Sequence, residues 1–325
     1  MKICHVNLNS EYRGGERQTE ILLRESILRE KQKPVLIVLA GSKLCDKWIN
    51  SELVHVIAVK SRLSALVYYK TLRDVDFFIA HESSAFHYCF LRSIFFGIRY
   101  VLIRRVAYKI KNFYLTKLVY RRAFCIVAIS LAVEKNIKRI VSCKVVVIPD
   151  ASDFDLSKSP NVRFDTGKVE LLMASALVEK NKGQSVLIAA MDSLTEEYSL
   201  TIFGTGPDQL FLEKLIKESK SSKRIKLCPY WPDLRTEALK FDIFILPSRS
   251  EGLGSILIDM MRLGVAVIAS DVGGVSDIVR VGAGKLVKPD DPKELATAIL
   301  EMTEEKRYRS AKKALGLSKK YSPEI

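Results

Sequence analysis

Apolar runs of strand length, each followed by a segment long enough for a helix, recur along this chain and are interrupted once, near its middle. The run Pro34 to Ala40 (PVLIVLA) is apolar throughout, which suits a parallel strand buried on both faces. Lys2 to Leu8 comes before it. Further runs stand at Leu53 to Val59, Val75 to Ala80, Tyr100 to Ile103, Phe124 to Ile129 and Lys144 to Ile148. Within Glu16 to Glu30 the spacing of Ile21, Leu22, Ile27 and Leu28 predicts a helix, after a loop over Asn9 to Gly15. Strands alternating with helices predict a doubly wound α/β domain.

The segment Pro149 to Lys168 (PDASDFDLSKSPNVRFDTGK) breaks this pattern with Asp, Ser and Pro, and reads as a linker. Alternation then resumes with strands at Val169 to Ala174, Ser199 to Phe203, Ile225 to Leu227, Ile243 to Leu246, Val265 to Ala269 and Gly284 to Val287. Helices are expected over Gln184 to Leu194, Gln209 to Ser219 and Pro292 to Glu304. The chain therefore divides into residues 1–150, a linker over 151–167, and residues 168–325. Open α/β sheets bind ligands beyond the carboxyl ends of their strands. With two such sheets facing each other, a central cleft is the expected site.

Composition narrows the class. Hydrophobic residues make up 48% and charged residues 27% of 325, enough for cores and too polar for an integral membrane protein. The formal charge of +15 favours polyanionic partners: nucleic acid, acidic lipid or phosphorylated substrates. The six cysteines form no CxxC pair and no zinc spacing, so they read as small buried hydrophobes in a reducing, cytoplasmic compartment. The first residues read as a strand and loop, not a secretory leader.

The strongest local constellation runs from Ile245 to Ser255 (ILPSRSEGLGS), between a buried strand and the helix ILIDMMRL, which Gly264 ends. Ser255 is the expected N-cap, and Gly252 and Gly254 let backbone approach a ligand closely. A helix start presents N–H groups and partial positive charge, suited to a diphosphate. Glu251 and Asp259 flank that turn. Carboxylates accept hydrogen bonds from hydroxyls, so the pattern fits phosphates in the middle and polyols at both ends.

This stretch, through Val279, resembles the donor-site signature of retaining GT-B glycosyltransferases, the group that includes sucrose synthases, mannosyltransferases and lipopolysaccharide core transferases. The resemblance implies two Rossmann-like doubly wound α/β domains facing a central cleft. It implies that Glu251 contacts donor sugar hydroxyls and Asp259 the ribose, where the family usually has Glu. Main-chain amides of Gly252, Leu253, Gly254 and Ser255 hold the diphosphate on the same reading. Gly14 and Gly15 resemble the family's N-terminal glycine loop, Lys182 its phosphate-binding lysine, and His81 its cleft histidine near the donor sugar. Ala176 stands where the family usually has Arg, and Arg249 or Lys180 is the expected substitute cation.

The implied activity is hexosyl transfer from a nucleotide sugar to a cell-surface glycan or lipid-linked acceptor, such as lipopolysaccharide core, with retention. Glu251, His81 and Lys182 are the expected catalytic residues. No acidic pair is placed for Mg²⁺, so no metal or other cofactor is expected; the helix dipole and Lys182 take that part. Ala176 and Asp259 motivate an alternative, a nucleotide-sugar-binding protein of the same fold without turnover. A nicotinamide oxidoreductase is disfavoured because no GxGxxG follows the first strand.

From Ser83 to Val133 there is no Asp or Glu, while Arg92, Arg99, Arg104, Arg105, Lys109, Lys111, Lys117, Arg121 and Arg122 alternate with aromatic residues. A basic, aromatic surface suits the anionic inner face of a membrane, where each cation contributes about 1 kcal/mol. No recognised nucleic-acid module is present, and nucleic acid is not an expected partner.

Overall fold

The computed structural model describes residues 2–29, 33–64, 72, 74–108, 110, 113–163, 167–231, 233–279 and 282–324. The chain forms two compact units, Met1–Ala151 with Glu324, and Ser152–Pro323.

In the first unit the strands are β1 (Ile3–Asn7), β2 (Val35–Leu39), β3 (His55–Val59), β4 (Phe77–Ala80), β5 (Arg99–Arg104), β6 (Cys125–Ala128) and β7 (Val145–Val147). Its described helices are α1 (Gly14–Arg29), α2 (Lys43–Trp48), α3 (Ser83–Phe96), α4 (Tyr114–Arg122) and α5 (Leu131–Lys138). All neighbouring strands are parallel, in the order β3-β2-β1-β4-β5-β6-β7. Helix ends follow local chemistry. The Glu82 carboxylate caps α3 by accepting from the amides of Ser84 and Ala85, and Gly97 closes it in the left-handed region at φ 68°.

In the second unit the strands are β8 (Val169–Ala174), β9 (Tyr198–Phe203), β10 (Ile225–Cys228), β11 (Ile243–Leu246), β12 (Ala266–Ser270) and β13 (Lys285–Val287). The helices are α6 (Glu179–Lys182), α7 (Gln184–Met191), α8 (Gln209–Glu218), α9 (Leu234–Ala238), α10 (Ser255–Arg262), α11 (Val275–Val279), α12 (Pro292–Leu300) and α13 (Glu304–Ser318). The sheet is again parallel, in the order β10-β9-β8-β11-β12-β13. Every residue of β11 and β12 is buried, as continuous apolar runs require.

Both sheets reverse direction of growth once, between β1 and β4 in the first and between β8 and β11 in the second. At such a switch point the two flanking loops diverge to opposite faces and leave a crevice at the carboxyl ends of the strands. Gly14–Gly15 and His81 follow β1 and β4. Lys182 and Glu251 follow β8 and β11.

Three features differ from the sequence expectation. Helix α1 starts at Gly14, so the two glycines are its first residues and not loop. Helix α13 has no counterpart among the expected helices, because its buried stripe is Arg307, Ala311, Ala314, Leu315 and Ser318, which lacks a large apolar signature. The polar stretch after Ala151 lies along the second unit: the amides of Ser152, Ser157 and Asn161 donate to Tyr321, Arg262 and Gly264 carbonyls at 2.9, 2.7 and 2.8 Å.

Candidate active site

The loops after β8 and β11 are joined at three successive residues. The Asn181 carbonyl accepts from the Arg249 amide at 2.8 Å. Lys182 Nζ donates to Glu251 Oε1 at 2.6 Å. Gly183, at φ 65°, lies so close to the end of β11 that an added Cβ would stand 2.3 Å from the Pro247 carbonyl oxygen. Only glycine fits there, since the conformation and the contact both exclude a side chain. Ser248 Oγ also donates to Glu251 Oε1, at 2.7 Å, so the two side-chain donors converge on one carboxylate oxygen. The Lys182 and Glu251 side chains keep 25% and 11% of their exposure, so the pair is sheltered yet reachable.

Beyond Glu251 the chain turns into α10. Gly254 is its N-cap, at φ 79°, and supplies no side-chain cap. The sequence expectation of Ser255 in that place is corrected: Ser255 is the first helical residue. The cap must enter the left-handed region, which serine avoids and glycine accepts, while Leu246, Leu257 and Val275 leave a Cβ only 3.2 to 3.3 Å. Leu253 is buried and fixes the loop on the core.

Arg249 does not stand open to a phosphate. Its Nη1 donates to the Glu179 carbonyl at 2.5 Å and to Glu179 Oε1 at 2.9 Å, Nε bonds Asp290 Oδ1, and Nη2 donates to Ser185 Oγ at 3.4 Å. Burial opposes its charge, but the bonds to Glu179 and Asp290 outweigh this and raise its pKa. Among the described residues Asp290 is the non-glycine one with positive φ, 59°, and it is paired with Arg249. The guanidinium is thus a clasp between two loops. Lys180 is exposed, and Ala176 accepts from Gln184 Nε2 at 2.9 Å through its carbonyl.

Asp259, on α10, is buried, and its Oδ1 accepts from Ser152 Oγ at 2.5 Å. Among the described residues no group of three His, Cys, Asp or Glu side chains is arranged to hold a metal ion.

In the first unit, Gly14 and Gly15 have open space where a side chain would be, so packing alone does not demand glycine there. The Glu16 carboxylate, buried, accepts from Asn9 Nδ2 at 3.1 Å and the Arg13 amide at 3.0 Å and so shapes the turn before α1. His81 departs from expectation. Its ring is buried and stacks on His5 at 5.3 Å. Nε2 lies 3.0 Å from His5 Nδ1, and Nδ1 lies 3.3 Å from Arg105 Nη1. Arg105 Nε in turn donates to Asp150 Oδ1 at 3.1 Å, and His5 Nε2 is 3.1 Å from Ser26 Oγ. A guanidinium only donates, so His81 Nδ1 accepts, His81 Nε2–H donates to His5, and His5 Nε2–H donates to Ser26. Both ring nitrogens are therefore engaged, and the reading of His81 as a free ligand for sugar hydroxyls is corrected to a paired histidine. Burial, then the charge of Arg105, pushes His5 down to about 4; burial, Arg105 and His5 hold His81 well below its ordinary value.

Comparison with known proteins adds the family. Residues 156–316 match the model of the family described as glycosyl transferases group 1. This segment belongs to that family. TuaC of Bacillus subtilis (strain 168), assigned as a glycosyltransferase of teichuronic acid biosynthesis, is 31% identical over 132 residues, which are 40% of this chain and 32% of that protein. The lipopolysaccharide core biosynthesis mannosyltransferase LpsB of Rhizobium meliloti (strain 1021) is 26% identical over 153 residues, 44% of each chain. The similarity thus spans about a third to less than half of these curated relatives. Crystal structures of HepE from Anabaena, bound to UDP or to UDP-glucose, superpose with TM-scores of 0.85 and 0.84 at 19% and 18% identity, over 99% of this chain and 96% of theirs. The GT-B fold expected from the sequence is the fold found.

The family model covers the Lys182, Glu251 and Asp259 positions but not the first unit, whose surface has to be read from the structure. There the expected basic face is smaller than the sequence implied. Arg92 is buried with its guanidinium 4.7 Å from the Phe96 ring centroid. Arg104 is buried and donates to the Tyr120 hydroxyl and the Tyr108 carbonyl at 2.9 and 2.8 Å. Arg105 turns to Asp150. Lys109 and Lys111 lie outside the described residues. Arg99, Arg121 and Arg122 are exposed, with Phe95, Phe113, Tyr114 and Leu115. A guanidinium that stacks on rings or bonds a carbonyl can be buried without a carboxylate, which charge patterning cannot reveal. No helix of the described residues is long and apolar enough to cross a membrane.

Sequence reasoning misses Ser152, Ser248 and Glu179 as parts of this site. Ser248 and Glu179 sit beside Arg249 and Lys180 in the chain, so proximity to the motif is an available signal. For Ser152 there is none: it lies 107 residues from its partner.

Proposed function

We propose that this protein transfers a glycosyl group from a nucleoside-diphosphate donor to a cell-surface glycan or lipid-linked acceptor, with retention and without a metal. The observation that carries the reading is the Lys182–Glu251 pair at the switch point of the second sheet, beside a helix start with no side-chain cap. An ammonium has three donors, and one bond to Glu251 leaves two for phosphate oxygens. When the anomeric C–O bond breaks, charge develops on the departing diphosphate, and Lys182 with the amides of Gly252 to Ser255 neutralises it. Glu251 Oε2 is the acceptor for a hydroxyl of the transferred sugar. Asp259 takes the ribose, and Gly14–Gly15 let a ligand approach the start of α1. His81 serves as a neutral wall held by Arg105. HepE, of the same fold, binds UDP and UDP-glucose, which supports a nucleotide sugar of this kind.

The acceptor side is proposed to work at the inner face of a membrane, since exposed Phe113, Tyr114 and Leu115 sit beside basic residues in a stretch without acids. Ala176 keeps a second reading in view, a nucleotide-sugar-binding protein without turnover, because a cation usual in the family has no counterpart there.

Thermal shift against UDP, GDP, ADP and CMP sugars tests the proposal. A sugar nucleotide that raises Tm in the wild type and not in Glu251→Ala is the expected result. No shift with any donor overturns the reading; binding followed by neither transfer nor hydrolysis favours the second.

A further inference from the structure

Ser152 is tied into the second unit on three sides. Its amide donates to the Tyr321 carbonyl at 2.9 Å, and its Oγ accepts from the Phe154 amide at 3.2 Å. The same hydroxyl donates its proton to its other neighbour, the carboxylate oxygen Asp259 Oδ1, at 2.5 Å. Ser152 has no exposed surface and Asp259 only 3%. The anchor itself is fixed by the next turn of the same helix: Arg262 Nε donates to the Phe154 carbonyl at 2.6 Å and Nη1 to the Ser318 carbonyl at 3.4 Å. Residues 152–154 and the end of α13 therefore grip α10 at two side chains, three residues apart, on one face.

We infer that Ser152 is a positioning residue for the donor's ribose, acting through Asp259. The inference rests on the donor reading above. An aspartate in place of the family's usual glutamate is one methylene short and has two torsions to settle. A bond from this buried hydroxyl, itself held by the Phe154 amide, restricts them and favours one orientation of the carboxylate. Removing the hydroxyl takes away that donor and weakens the hold on the carboxylate. The cost falls on ligands with ribose hydroxyls and not on ligands without them.

Isothermal titration of the whole protein tests this with UDP, GDP and ADP, then with the tightest binder and its 2′,3′-dideoxy analogue. Ser152→Ala is expected to weaken the ribonucleotide about tenfold, the size of one hydrogen bond to a charged group, while the dideoxy analogue changes less than about twofold. Ser152→Thr, which keeps the hydroxyl, restores discrimination. Should Ser152→Ala fail to fold by circular dichroism, Ser152→Cys against Ser152→Thr makes the same comparison. Equal losses for both ligands, or none, overturn the role of Ser152 and leave the donor reading standing. A wild type that binds none of the three nucleotides overturns both.

Discussion

Lys182 Nζ and Glu251 Oε1 meet at 2.6 Å across 69 residues of sequence, one from the end of the short helix α6 after β8 and the other from the loop after the neighbouring parallel strand β11. The pair is partly exposed, so its worth to folding is small, within about 1 kcal/mol. Its worth to transfer is expected to be large. Lys182→Ala should lower kcat/KM by about 100-fold or more, the range for losing one fixed charge stabiliser, with Tm nearly unchanged. A variant that keeps full activity removes the lysine from the mechanism.

Gly183 makes that meeting geometrically feasible. Gly183→Ala must either leave φ 65° or push its Cβ into the Pro247 carbonyl at 2.3 Å. We expect a loss of roughly 2–4 kcal/mol in urea unfolding, typical of backbone strain combined with a clash, together with weaker donor binding. A neutral substitution would mean that the two loops are not pressed together.

Arg249 and Lys182 are both cations near the loop, yet different outcomes are expected. Arg249 is consumed by Glu179 and Asp290. Arg249→Ala should therefore lower Tm and loosen the loops while changing nucleotide Kd less than about threefold, the scale of an indirect effect. Lys182→Ala should do the reverse. Calorimetric titration beside a melting curve separates them; a large loss of affinity in Arg249→Ala with intact Tm would return Arg249 to the phosphate.

Acid should weaken the first unit through the stacked histidines. His5 is held down at about 4, against an ordinary 6.5 in the unfolded chain. Between these values the unfolded state binds the extra proton, so stability is full above pH 6.5 and falls as pH drops toward 4. For His5 alone the window is worth about 3 kcal/mol, and His81, lowered in the same direction, adds to it. Melting curves from about pH 7.5 to about pH 4.5, which bracket the ordinary histidine range, should show a steeper fall for wild type than for His5→Gln. Parallel curves would mean that the pair titrates normally.

Membrane association is checked by flotation. Wild type is expected to rise with vesicles containing phosphatidylserine at low salt, and to stay down with neutral vesicles. A triple change of the exposed residues Phe113, Tyr114 and Leu115 to serine should abolish flotation without altering nucleotide binding. Equal recovery with neutral vesicles, or none with anionic ones, argues against a bilayer partner.

Much of the architecture is legible in the residues themselves. The apolar cores of runs such as PVLIVLA and IFIL are buried strands because their side chains leave water together, whereas the cap of α10 is misread, since Ser255 has the commoner capping side chain and the left-handed φ of Gly254 shows only in the fold. Helix α13 is not legible in the same way, because alanines and an arginine carry its buried stripe.

By itself, then, the sequence determined the alternating strands and helices, the break near residue 150, and the loop from Glu251 into α10, because burial and backbone freedom are properties of residues and their near neighbours. Only the tertiary structure decided that Lys182 meets Glu251, that Arg249 is spent on Glu179 and Asp290, that Arg105 orients His81, and that Ser152 holds Asp259. Strand order in a doubly wound sheet departs from chain order at the switch point, so the partners there are set by which strands lie side by side, and spacing along the chain carries no record of it.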